Sequence, residues 1–280
     1  MTLRLLLLAG MFSAVSLAQS NPAQNPQDFV RNAVLNELHE SEQQTSFFRY
    51  MLRKQTSSGT AVRDMCETRK GVVARSLTWN DRPLSPEERS KDDKKLLEWA
   101  SSADEQEKHL RDQQAEQRRI LAVLRALPRG ATYTFNGTEK IHGREAVRLH
   151  FVPNPDFEPT TRETYIFRAA VGDVWIDSGE HRIVRLQATL MRGINFGWGL
   201  LGQIHMGGTI LLEQTMVGSH AWRMTKLDLD AKGTALLFKE ININQHQSAF
   251  DYRPVPPNLS VADAVALLRE SKATADPAKP

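Results

Sequence analysis

The chain has 280 residues, 40% hydrophobic and 25% charged, with 36 Lys or Arg against 33 Asp or Glu and a single cysteine. This composition belongs to ordinary globular proteins, so a disordered chain and a multi-span membrane protein are excluded, and a formal charge of +3 is too small an excess to imply nucleic acid. One cysteine, Cys66, excludes an internal disulfide, so stability must come from a hydrophobic core, in which Cys66 is expected as a small buried hydrophobe.

In residues 1–18, Arg4 precedes an apolar run over 5–15, and Ser16-Leu17-Ala18 supplies the small-x-small pattern of a signal-peptidase site. The run is too short to cross a bilayer, which takes about 20 residues, and no Cys stands at the cleavage point to take a lipid. A signal peptide over 1–18, cleavage near Gln19 and a periplasmic or secreted protein without a membrane span are therefore expected. Residues 19–27 are polar, carry Pro22 and Pro26, and read as a flexible leader. Asp28 is placed to cap a helix in which Phe29, Val30, Ala33, Val34, Leu35 and Leu38 form one apolar stripe.

Between 46 and 80, Phe47-Phe48-Arg49-Tyr50-Met51-Leu52 and Val72-Val73-Ala74-Arg75-Ser76-Leu77-Thr78-Trp79 read as strands. A helical insert is expected over 85–129, opened by Ser85-Pro86-Glu87-Glu88, with a break near Ser101-Ser102 and a stop at Pro128-Arg129-Gly130. Its ten basic and ten acidic residues alternate, which suits a solvated helical face and gives no reason to bind phosphate. From 131 to 252 strands are expected over 133–135, 146–152, 163–169, 173–177, 183–191, 209–217, 221–230 and 234–244, in an antiparallel meander. In 183–191, Val184, Leu186, Ala188 and Leu190 would share a dry face. Pro254, Pro256 and Pro257 end the sheet, followed by a short helix over 261–268 and a frayed tail.

Gly197-Trp198-Gly199-Leu200-Leu201-Gly202 fits the literal G-x-G-x-x-G pattern, but no βαβ unit surrounds it and Gly207-Gly208 prevents the required helix, so no nucleotide cofactor is expected. The glycines here instead suit sharply bent strands that present Phe196, Trp198, Leu200 and Ile204. Asp173 and Asp177 share a strand face with Trp175; they are candidates for acid–base work or, more plainly, for turn capping. The eight histidines (His39, His109, His142, His150, His181, His205, His220 and His246) include no pair at i,i+2 or i,i+4, and no metal site is expected. Ser219-His220 lacks a nucleophile elbow, and Asn136-Gly137-Thr138 is a hairpin signal as well as a formal glycosylation sequon, as Asn258-Leu259-Ser260 also is.

Phe151-Val152-Pro153-Asn154-Pro155, Gly172-Asp173-Val174-Trp175-Ile176-Asp177, Arg182-Ile183-Val184-Arg185-Leu186 and Phe196-Gly197-Trp198-Gly199-Leu200-Leu201, in that order after an amphipathic helix, resemble the periplasmic lipoprotein carriers of the LolA type, closest to secreted bacterial proteins of the outer-membrane lipoprotein-sorting kind. The resemblance implies an α+β fold: a strongly curved antiparallel sheet, a half-barrel, covered by helices over an apolar cavity for acyl chains. It implies no catalytic residues. One such domain is expected over 28–253. The function expected is that of a non-enzymatic envelope protein binding a lipid or lipoprotein acyl chain, with Trp175, Leu186, Phe196, Trp198, Leu212, Trp222 and Phe238 lining the cavity. The alternative is an interaction or sensor module whose helical insert docks an envelope protein. Neither needs a cofactor.

Overall fold

The computed structural model describes residues 22–196, 202–218, 221–235 and 239–270; the expected signal over 1–18 lies outside them. The first helix, α1 (Pro26–Glu42), is capped one turn earlier than expected, since the Asn25 side chain accepts from the Asp28 N–H at 3.2 Å, Pro26 opens the helix, and Asp28 contributes its charge to the first turn. Three antiparallel strands follow, β1 (Phe47–Thr56), β2 (Gly59–Thr68) and β3 (Gly71–Trp79), and Asn80 and Asp81, both at positive φ, turn the chain into the short β4 (Arg82–Pro83). A reciprocal capping box between Ser85 and Glu88 starts α2 (Pro86–Ser101), and Ser102 separates it from α3 (Ala103–Gly130).

The helix α3 ends at Gly130, within the expected stop Pro128-Arg129-Gly130, and tertiary donors take up the carbonyls of its last turn. Tyr133 Oη donates to Leu127 O at 2.8 Å, Gln27 Nε2 to Pro128 O, Asn154 Nδ2 to Arg129 O at 2.9 Å and the Asn154 N–H to Gly130 O at 3.1 Å. A correction concerns the strand expected over 163–169, which is a 3-10 helix, Glu163–Arg168. The Thr164 hydroxyl accepts from the Thr161 N–H at 3.2 Å and donates to Thr161 O at 2.8 Å, and this local pairing overrides the β-propensity of Tyr165-Ile166-Phe167.

The remaining strands are β5 (Ala131–Ile141), β6 (Arg144–Pro153), β7 (Ala170–Asp177), β8 (Ile183–Leu190), β9 (Ile194–Phe196), β10 (Gly202–Ile204), β11 (Thr209–Val217), β12 (Ala221–Ala235) and β13 (Lys239–Val255), before α4 (Val261–Glu270). The strand expected over 234–244 is thus divided between the end of β12 and the start of a β13 that runs on through Pro254. Together they form one open antiparallel sheet of 13 strands, β4-β3-β2-β1-β13-β12-β11-β8-β7-β6-β5, with β9 and β10 attached beside the end of β12; it does not close into a barrel.

Helices cover opposite faces of its two ends. On one face of β5 to β8, α1 and the C-terminal end of α3 bury Phe29, Val30, Val34 and Leu127 against Leu149, Phe151, Val174 and Ile176. Followed by register through β11, β12, β13 and β1, Cys66 of β2 lies on the other face, and there α2 and α4 pack Leu96, Val265 and Leu268 on Cys66 and Val73. Burial pushes the Cys66 thiol up to about 11, despite nearby Arg49, so it is an inert core group.

The sheet is bent. A Cβ on Gly172 would stand 1.9 Å from the backbone oxygen of Gln187 on β8, and one on Gly233 would stand 2.3 Å from the oxygen of Gln203 on β10. In a flat sheet that direction points away from the neighbouring strand, so the backbones coil over one another at these two places. A bulge adds to this: Ile176 pairs with Ile183 and Trp175 with Arg185, leaving Val184 extra. The dry face of β8 is therefore Ile183, Leu186, Ala188 and Leu190, while Val184 turns to the other side beside Trp175, a correction to the simple alternation.

Candidate functional site

Apolar side chains on the α1 face continue in cross-strand rows beyond the helices that cover them. Leu149, Val174, Leu186, Leu212 and Leu227 stand opposite one another on β6, β7, β8, β11 and β12; Phe151, Gly172, Ala188, Ile210 and Leu229 form the next row. Leu149 and Val174 are fully buried beneath α1, whereas Leu186, Leu212 and Leu227 are half-buried. No residue of β11 is buried on either face, nor is any of β13. From β8 to β12 the sheet thus carries an apolar trough, bounded on β13 by Gln247 and Gln245, that the described residues do not completely cover.

The trough opens at one end into a cleft of about 410 Å³, walled by the 3-10 helix, β9, β10 and the far ends of β12 and β13. Ile166, Leu190, Phe196, Ile204, Ile241 and Ile243 supply its apolar surface. The last two remain 38% and 37% exposed, which is unusual for isoleucines opposite neighbours on a paired strand. Gly233 permits this geometry, since its missing Cβ lets β10 lie across β12.

The other end is ionic. Arg182 pairs with Glu37 of α1 at 3.0 and 2.8 Å, Gln214 Nε2 donates to the same carboxylate at 2.9 Å, and Arg223 lies 3.6 Å from Glu40 and 3.8 Å from Glu67. Burial raises the Glu67 carboxyl above its ordinary value; Arg223 and the Phe48 N–H oppose that shift without cancelling it. These contacts tie the second half of α1 to β2, β8, β11 and β12.

The residues singled out in the sequence fall into separate places. Leu186 and Leu212 face each other in the trough, and Phe196 lines the cleft. Trp175 and Trp222 instead share a cluster with Ile141, Ala146 and Val184, away from the trough. Trp175 is stacked between Arg148 and Arg185, whose guanidinium carbons lie 5.1 and 5.4 Å from its ring, and Trp222 Nε1 donates to Glu180 at 2.8 Å. Trp198 and Phe238 lie outside the described residues. Sequence reasoning missed Ile210, Leu227, Leu229, Ile241 and Ile243, although Leu227-Asp228-Leu229-Asp230-Ala231 and Ile241-Asn242-Ile243 alternate plainly enough to have marked a face.

The two aspartates are engaged structurally. Burial would raise the Asp173 carboxyl, but Arg148 at 3.1 Å and His150 at 3.3 Å hold it below the usual range. Asp177 is likewise opposed by burial yet held low by Arg144, bonded at 2.7 and 2.9 Å, and by the N–H groups of Glu180 and Gly179. A lowered folded-state pKa means that the stabilisation is present above the unfolded value near 3.9 and is lost as pH falls through the folded one. Asp177→Asn is therefore expected to cost about 2 kcal/mol at pH 7 and progressively less below pH 4, read by denaturant unfolding; a penalty independent of pH would contradict this pairing.

On the helical segment, Leu97 of α2 and Ile120 of α3 are the exposed large apolar residues, one on each helix. Among the described residues no helix is long and apolar enough to cross a membrane.

No protein-family model matches the sequence, and no curated protein matches it. Solved structures do resemble it. An outer membrane lipoprotein-sorting protein domain from Vibrio parahaemolyticus is 10% identical, covering 84% of this chain and 99% of that one at a TM-score of 0.30. A DUF1329 family protein from Desulfovibrio piger is 9% identical over 89% of this chain and 100% of that one, with a TM-score of 0.31. A LolA superfamily protein from Nitrosomonas europaea is 11% identical over 84% and 96%, with a TM-score of 0.27. The resemblance expected from the sequence recurs among these structures, but likeness of this degree carries over neither a ligand nor a partner.

Proposed function

We propose that this chain is a non-enzymatic protein of the bacterial envelope that holds a lipid or lipoprotein acyl chain in the trough between the sheet and α1. One observation carries the reading: the row from Leu149 to Leu227 passes from fully buried to half-buried without losing its apolar character, beside a cleft of about 410 Å³. That volume lies within the roughly 300–1,000 Å³ usual for small-molecule sites. Each methylene brought against such a surface is worth about 0.8 kcal/mol, so a long chain gains several kcal/mol from non-directional contact alone. The signal expected over 1–18 supports the envelope location. The arginine partners of Asp173 and Asp177, which keep both carboxylates ionised, support a role without acid–base chemistry.

Protein purified without detergent is expected to yield lipid on organic extraction and mass spectrometry, and a fluorescent fatty acid to bind it saturably. Absence of both copurified lipid and saturable binding would overturn the reading.

A further inference from the structure

We infer that the occupant of the trough is an amphiphile with an anionic head, a carboxylate or a phosphate, seated beside Arg162. The inference deepens the acyl-chain reading and rests on it.

The charge around the cleft is one-sided. The charged residues lining the cleft are Arg162, Lys232 and Glu163, and the segments that supply its lining, 162–168, 190–196, 202–204, 231–235 and 239–243, add Arg168, Arg192 and Lys239 against Glu240. This contrasts with the whole chain, where the basic excess is small.

Within that group Arg162 has the position of a head-group ligand. It lines the cleft, is exposed, and makes no side-chain hydrogen bond among the described residues. Its neighbour Glu163 is engaged by its own N–H, by Thr161 and by Arg119 at 3.9 Å, with a further charge interaction from Arg162, so Arg162 shares that carboxylate with Arg119. Arg192 is turned to a carbonyl, donating from Nε to Arg168 O at 2.6 Å, and Arg168 lies over the Tyr165 ring at 5.3 Å. Strand alternation places Lys232 opposite to Ala231 and Gly233, so Lys232 adds to the field without facing the cleft floor. An apolar floor bounded by a guanidinium that makes no side-chain hydrogen bond among the described residues, and whose adjacent carboxylate Glu163 is shared with Arg119, matches a hydrocarbon tail ending in an anion, which a guanidinium can bind through two parallel hydrogen bonds.

The test compares four probes with the same sixteen-carbon tail, bearing a carboxylate, a phosphate, a neutral glycerol or a trimethylammonium head, each displacing a neutral apolar dye. The two anions are expected to bind about threefold to fivefold more tightly than the neutral probe, and the ammonium less tightly, because the pair is solvent-exposed. Arg162→Gln should remove the preference and leave the neutral probe unchanged. Inorganic phosphate alone should displace nothing, which separates a lipid head from a free anion. Equal binding of all four heads, an unchanged preference in Arg162→Gln, or displacement by inorganic phosphate would each overturn the inference while leaving the trough intact. Failure of every tailed probe would instead remove the acyl-chain reading itself, and the inference with it.

Discussion

Leu212→Asp is expected to weaken fluorescent fatty-acid binding by roughly thirtyfold while leaving the protein folded. Leu212 lies in the centre of the apolar row, opposite Leu186 and Leu227, on a strand with no buried residue. Contact with two or three methylenes of a bound chain amounts to about 2 kcal/mol, and each 1.4 kcal/mol is a factor of ten in affinity. In the empty protein an aspartate there remains partly solvated, so its stability cost is small. Leu149, in the same row but fully buried beneath α1, behaves differently: aspartate at that position would strand a carboxylate without a partner and unfold the chain. Leu211, one residue away, points to the opposite face of β11 and serves as the control. Titration of the three variants, with circular dichroism to establish folding, decides the matter. Equal losses at Leu211 and Leu212 would mean that the trough does not hold the ligand.

Gly172→Ala is expected to destabilise the fold by about 3 kcal/mol or more, seen as a fall in the denaturant midpoint. The new methyl would meet Gln187 O at 1.9 Å and Ala188 Cα at 2.7 Å, and both are backbone atoms of β8 that no rotamer change can move. Relief requires β7 and β8 to separate, which flattens the bend where the buried core gives way to the trough. Gly137→Ala is the comparison, since Gly137 has φ +94° but nothing within 4 Å of the added Cβ, leaving only a backbone cost of about 1 kcal/mol. If the two variants lost the same stability, close approach of β7 to β8 would not be what Gly172 provides.

Much of the architecture could be read from local pattern. Phe29, Val30, Ala33 and Val34 of the expected stripe are the buried face of α1, while Leu35 is exposed off its edge; Ser85 and Glu88 form the cap that their spacing suggested, and the break at Ser102 follows from its side chain accepting from the Glu105 N–H. Each depends on residues within one or two turns of each other. The misreading of β8 has the opposite property. The side taken by Val184 depends on how β7 pairs with β8. The candidate lining residues divided for the same reason. Large aromatics are conspicuous in a sequence, but Trp175 and Trp222 are held by arginines supplied from other strands, while the less conspicuous Leu227, Ile241 and Ile243 stand beside the trough and its cleft.

The amino-acid order by itself determined that α1 would be amphipathic, that a charged helical segment would follow the first strands, and that the second half would be an antiparallel meander, because helix and strand periods and turn residues act over a few positions. Only the tertiary structure decided that the sheet bends at Gly172 and Gly233, that helices cover its ends on opposite faces, and that its centre is left half-covered. Those outcomes depend on which strands become neighbours and in what register, and that is a balance of packing over the whole chain.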